Sequence, residues 1–148
     1  MRRYIICFII ICLSLWSSFA SAQVKEKEKA ALEAAENWLS VIDSGNYAQS
    51  WQMASGYFKN FVTENQWQQS LSAARQPLGK VISREAEIKQ YKTSLPGAPD
   101  GEYVVIKFLA SFANKKLALE TVILTIEKDG YWRVSGYYIK QMPQLFYC

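Results

Sequence analysis

Hydrophobic and polar positions change rhythm twice along the chain, and each rhythm predicts a different kind of element. A 13-residue apolar run, Tyr4–Trp16, comes first. From Val24 to about Ser44 the apolar residues Ala31, Leu32, Ala35, Leu39 and Ile42 then recur at steps of three and four, with Trp38 beside them and charges on the opposite face. That period predicts an amphipathic helix, and Gly45 stands where a helix C-terminus favours the left-handed conformation. A second series, Tyr47, Trp51, Ala54, Phe58 and Phe61, keeps the same steps. Ser55-Gly56 interrupts it, predicting a short helix followed by an aromatic-rich loop. Thr63 and Gln66 are spaced as a capping box. The helix they open carries Trp67, Leu71 and Ala74 on one side and ends before Pro77-Leu78-Gly79.

Beyond Gly79 the period drops from 3.6 to 2, as strands require. Lys80–Thr93 reads as a charged edge strand, and Ser94–Gly101, with two prolines and two glycines, as a loop. In Glu102–Ala113, Val104, Ile106, Phe108, Ala110 and Phe112 share one face. Asn114-Lys115-Lys116 is the expected turn to Leu117–Lys128, where Val122, Leu124 and Ile126 share a face. Asp129-Gly130 is a turn signal leading to Tyr131–Lys140. There the alternation puts Trp132, Val134 and Tyr138 on the inner face, and mid-strand Gly136 marks a bulge or bend. Three helical segments followed by a four-strand antiparallel meander make an α+β fold, with the helices' apolar stripes covering one face of a curved sheet.

Charge and chemistry narrow the picture chiefly by exclusion. Arg2 and Arg3 before the apolar run, and Ala20-Ser21-Ala22 after it, have the form of an export signal cleaved near Ala22. The run is shorter than the roughly 20 apolar residues of a spanning helix. The expectation is a single α+β domain over residues 23–148, free of a stable membrane anchor, in the periplasm or the medium. The leader holds two of the 17 basic residues and none of the 13 acidic ones, so its loss lowers the net charge from +4 to +2. The remaining bases are interspersed with acids, which argues against nucleic-acid binding. Cys7 and Cys12 fall in the leader, leaving Cys148 either unpaired or bridging two chains. With no histidine in the chain, histidine triads are ruled out, an ordinary zinc site is not expected, and no cofactor is implied. Gly-rich phosphate loops, nucleophile elbows and calcium-loop spacings are also missing.

Certain residues in this order carry a resemblance. They are Trp38, Asp43, Tyr47, Trp51 and Trp67 in the helical part, then Arg75, Leu78-Gly79, Arg84 and Glu120. Asp129-Gly130, Trp132-Arg133-Val134 and Gly136-Tyr137 complete the set. Over about residues 28–140 the chain resembles the bacterial family of exported proteins known as domain of unknown function 4019. That family is in turn similar to the cystatin-like cone of nuclear transport factor 2 and ketosteroid isomerase, whose helices wrap a curved sheet around a cavity. The resemblance implies a fold and no activity.

Glu120 shares the parity of the core positions Val122, Leu124 and Ile126. A carboxylate in apolar surroundings has a raised pKa and can exchange protons with a substrate; alternatively it reaches solvent or pairs with an arginine. Arg75 and Arg84 flank Leu78-Gly79, where they can clamp a carboxylate or phosphate, cap helix carbonyls, or pair with Glu120 or Asp43. Trp38, Tyr47, Trp51, Phe58, Phe61 and Trp67 either form core or line an apolar ligand cavity, Trp51 and Trp67 being the ligand candidates. Tyr137, Tyr138, Phe146 and Tyr147 are candidates for an exposed aromatic patch. The leading reading is a non-enzymatic exported module that binds a small molecule or an envelope protein. The alternatives are a cofactor-free isomerase or dehydratase using Glu120 with a tyrosine donor, and an envelope scaffold or homodimer.

Overall fold

No glycine or proline interrupts the chain before Gly45, and one helix occupies that whole stretch. The computed structural model describes residues 2–142, with side chains from Ala20 onward. Helix α1 runs Arg2–Asp43. It therefore begins well before Val24, because the Ile-, Leu- and Ala-rich leader contains nothing that breaks a helix. Its buried stripe is Ala31, Ala35, Trp38, Leu39 and Ile42, laid against all four strands of the sheet. Two alanines at zero exposure bring the helix backbone close to the sheet. At the C-terminus the Gly45 N–H donates to Ile42 O and the Asn46 N–H to Val41 O, with Gly45 at φ +82°. This is the Schellman arrangement that glycine permits.

Two short helices follow, α2 (Tyr47–Gln52) and α3 (Gly56–Phe61). The second replaces the aromatic-rich loop expected from the sequence. The Ser55 hydroxyl accepts the Phe58 N–H at 3.1 Å and so caps a new helix instead of only ending the previous one. Helix α4 (Glu64–Arg75) carries the capping box: Thr63 Oγ1 accepts the Gln66 N–H, and Gln66 Oε1 accepts the Thr63 N–H. It ends in a 3₁₀ turn, Gln76–Leu78, and Gly79 at φ +74° starts the sheet.

Strands β1 (Val81–Lys92), β2 (Tyr103–Phe112), β3 (Lys115–Ile126) and β4 (Trp132–Gln141) form an antiparallel meander in that order. All five predicted inner residues of β2 are at most 2% exposed. Val104, Ile106 and Phe108 pack with α1, Trp67 and Leu71 of α4, and Val122, Leu124 and Val134 into one core. Leu78, Ala110, Phe112 and Ala118 form a second cluster, with Ile139 against it. Ladder irregularities interrupt β1 at two places, and another falls in β4. In β4, Ile123 faces Gly136 and Leu124 faces Val134, leaving Ser135 as an extra residue. The extra residue reverses the alternation beyond it. Tyr137 turns inward, and Tyr138, expected in the core by strict alternation, is 63% exposed.

Candidate functional site

Arg75 is the last residue of α4, Arg84 lies on the inner face of β1, and Glu120 on the inner face of β3. The fold brings these three together with Asp43 from the end of α1 and Tyr137 from beyond the β4 bulge. Arg75 Nη1 donates to Glu120 Oε1 at 2.8 Å, and Arg84 Nε to Glu120 Oε2 at 2.6 Å. The Tyr137 hydroxyl donates to Glu120 Oε1 at 2.6 Å and accepts from Arg75 Nη1 at 3.3 Å. Asp43 closes the cluster: Arg75 Nη2 donates to Oδ1, and Arg84 to Oδ2 at 2.7 Å and Oδ1 at 3.1 Å. The Arg75 guanidinium also stacks on Phe112, 4.7 Å from the ring centroid.

Two guanidiniums and two carboxylates make the cluster neutral, and it runs from the interior at Glu120 to the surface at Asp43, whose side chain is 19% exposed. Glu120 is fully buried, and the side chains of Arg75 and Arg84 are 5% and 13% exposed. Burial works against the Asp43 charge, but hydrogen bonds and charge from Arg84 and then Arg75 outweigh it, holding that carboxyl below the usual range. Burial likewise opposes the arginine charges. Asp43 and Glu120, with Tyr137 beside Arg75, outweigh it and hold both guanidiniums above their ordinary range. Burial, then the charge of Glu120, pushes the Tyr137 hydroxyl far up despite Arg75. Among the described residues no buried side-chain nitrogen or oxygen lacks a hydrogen-bond partner, so the cluster is closed on itself.

An aromatic stack leads from this clasp toward the surface. Tyr137 meets Trp38 edge-on at 5.5 Å, Trp67 lies 5.9 Å from Trp38, and Phe58 meets Trp67 edge-on at 5.1 Å. Ser50 holds the two tryptophans: its carbonyl accepts the Trp38 indole N–H at 2.8 Å, and its hydroxyl that of Trp67 at 2.9 Å. Sequence reasoning passed over Ser50. The available signal was two core indoles, each needing an N–H partner, with four serines between them in the chain, of which Ser50 falls in the helical series of Tyr47, Trp51 and Ala54.

The stack ends at an open cleft of about 360 Å³ between α3, α4 and β4. Phe58, Phe61, Trp67, Tyr137 and Tyr138 form its walls, Ser70 and Ser135 supply hydroxyls, and no charged side chain lines it. Phe61, for which both core and cavity wall were open from the sequence, is not core but stands 71% exposed at the rim of the cleft. Of the proposed ligand-binding residues only Trp67 reaches this cleft. Arg75 and Arg84 are committed to the clasp. Trp51 lies elsewhere, its indole donating to Val62 O at 2.7 Å and its face under Lys59. Phe146, Tyr147 and Cys148 fall outside the described residues.

The profile of the family described as "Protein of unknown function (DUF4019)" matches residues 34–137. The chain belongs to this family. The DUF4019 match begins within α1, ends at Tyr137, and contains all five members of the clasp and most of the cleft. No curated protein and no solved structure matches the chain. Among the described residues of this DUF4019 protein, no helix is long and apolar enough to cross a membrane, and no cluster of three or more His, Cys, Asp or Glu side chains could hold a metal ion.

Proposed function

We propose that this DUF4019 chain is a non-enzymatic, exported binding module that takes an uncharged aromatic or alkyl group of a small molecule into the cleft beside Trp67. The observation carrying this reading is the contrast between the two polar environments. The interior acid is fully spent: both Glu120 oxygens are occupied by Arg75, Arg84 and Tyr137, and Glu120 has no exposed surface. A general base must reach the proton it removes, and this one meets only its own partners. The cleft, by contrast, is apolar, open and within the range of small-molecule sites. A charged ligand would lose hydration there without gaining a counter-ion.

The helix–sheet order also supports the cone-like reading, with the clasp filling the space between helices and sheet at the level of Glu120. Export is supported by the leader pattern and by the position of the first buried residue. Among the described side chains, which start at Ala20, the first buried one is Ala31, so cleavage near Ala22 removes no buried residue from the described core.

The test is titration with N-phenyl-1-naphthylamine, an uncharged aromatic fluorophore, followed by its own emission and by tryptophan quenching. Saturable binding is expected. Phe61→Ala should weaken it about tenfold, the equivalent of ~1.4 kcal/mol, while leaving thermal unfolding unchanged, because Phe61 is mostly exposed. Unsaturable binding, or equal affinity in Phe61→Ala and Tyr138→Ala, would exclude the cleft.

A further inference from the structure

The sheet face turned away from α1 is ordered into rows by the strand register. Glu85, Leu109, Leu119 and Lys140 lie side by side across β1 to β4. Ile88, Lys107, Thr121 and Tyr138 form the next row, and Gln90, Val105, Ile123 and Gly136 the one after. Among the described residues only the far end is covered: Tyr103 is 5% exposed beneath the 94–101 loop, its hydroxyl donating to Pro99 O at 2.6 Å. The rest stays open, with Ile88 at 40%, Leu109 at 38% and Tyr138 at 63% exposure. A row that starts with an acid, passes through two leucines and ends with a base is complementary to its own reverse.

We infer that this face binds a second copy of the same chain, face to face, about a two-fold axis running along the strands. A half-turn about that axis lays the second copy's β1 over β4 and its β2 over β3. Glu85 then meets Lys140, Leu109 meets Leu119, Ile88 meets Tyr138, and Lys107 meets the Thr121 hydroxyl. The other face-to-face two-fold, with its axis across the strands through the middle row, sets β1 on β1 and Lys107 on Lys107. Like charges in direct opposition disfavour it. Sheets pack with their strands within about 30° of each other, at which angle these rows stay in approximate register. Four strands and three rows span roughly 19 Å by 20 Å, a small interface, so the dimer is reversible.

The test is sedimentation equilibrium, with reductant present, on the protein purified from cells expressing the full chain. The wild type should show a concentration-dependent monomer–dimer equilibrium. Leu109→Asp should be monomeric with an unchanged circular dichroism spectrum. Glu85→Lys should raise the dimer dissociation constant about tenfold, and adding Lys140→Glu should restore it, because the swapped pair meets again across the axis. A monomer at every attainable concentration overturns the inference, as does a dimer that survives Leu109→Asp or forms only when reductant is left out. A dimer indifferent to the charge swap overturns the along-strand axis.

Discussion

Glu120→Gln probes the clasp with almost no change of shape. It removes one negative charge and leaves two guanidiniums facing Asp43 alone, so a neutral buried cluster acquires a net charge of one. Removing one partner of a buried ion pair costs about 3–5 kcal/mol, because the remaining charge stays desolvated. Arg84 retains some access to water and can relieve part of that charge by turning outward, which places the expected loss near the lower end, about 3 kcal/mol. Against a total stability of about 5–15 kcal/mol for a domain of this size, that is a large fraction. Exposed pairs such as Arg133–Asp129 belong to a class worth about 0–1 kcal/mol. The assay is equilibrium urea unfolding at pH 7 followed by tryptophan emission, since Trp38 and Trp67 both lie against Tyr137. With a slope of about 1–3 kcal/mol per molar, the midpoint should fall by about 1 M or more without a change in slope. Adding Arg84→Gln removes the surplus charge and leaves Arg75 paired with Asp43. The double variant should therefore recover part of the loss, with a coupling energy of about 1 kcal/mol or more. If Glu120→Gln lies within about 0.5 kcal/mol of wild type, or if the two substitutions simply add, the four charges do not act as a unit.

Acid should loosen the same cluster. Asp43 has a lowered pKa in the fold, so its contribution is complete above its unfolded-state value of about 3.9 and is lost as pH falls through the folded value. Asp43→Asn should flatten the acid limb of a stability–pH profile below about pH 4, and an unchanged limb would show that other carboxyls control it. Gly79→Ala should cost about 1–3 kcal/mol. Gly79 lies at φ +74°, ψ −161°, and an added Cβ would stand 3.1 Å from Asn114 Nδ2 and 3.2 Å from Ala113 Cβ. Gly45→Ala is the control, with positive φ but open space around it, and should cost about 1 kcal/mol. Equal losses in thermal melts would show that the contact with the β2–β3 hairpin is immaterial.

Legibility from the sequence tracks how local each determinant is. The dry face of β2 and the stripe of α1 follow from uninterrupted periods over ten or more residues, and the Thr63–Gln66 cap from residues three apart. Gly136 marked the interruption in β4, but the consequence depended on the exact pairing of Ser135, Gly136 and Ile123. Strict alternation therefore chose Tyr138 where the fold turns Tyr137 inward. The clasp lay beyond periodicity altogether, because its members come from five elements and adjoin only after α1, α4 and the sheet have docked. Four of the five, Asp43, Arg75, Arg84 and Glu120, were in view as residues that could pair. What the sequence withheld was that the pairing is mutual and complete.

The irregularities in the two outer strands have a consequence for how this sheet meets other chains. An edge strand with a regular row of free N–H and C=O groups is a template on which another strand can grow. Here β1 is bulged twice and carries Arg84, Glu85, Glu87, Lys89 and Lys92 along its length. On β4 the ladder breaks at Ser135, and just before the break the Ser55 N–H already takes the Val134 carbonyl at 2.8 Å. Both rims are thereby shortened, to residues 88–92 on β1 beyond its second bulge and 136–141 on β4 beyond its break. The regular edge on which another strand could grow is about half the length of either strand, while the sheet face beside it stays open for contact.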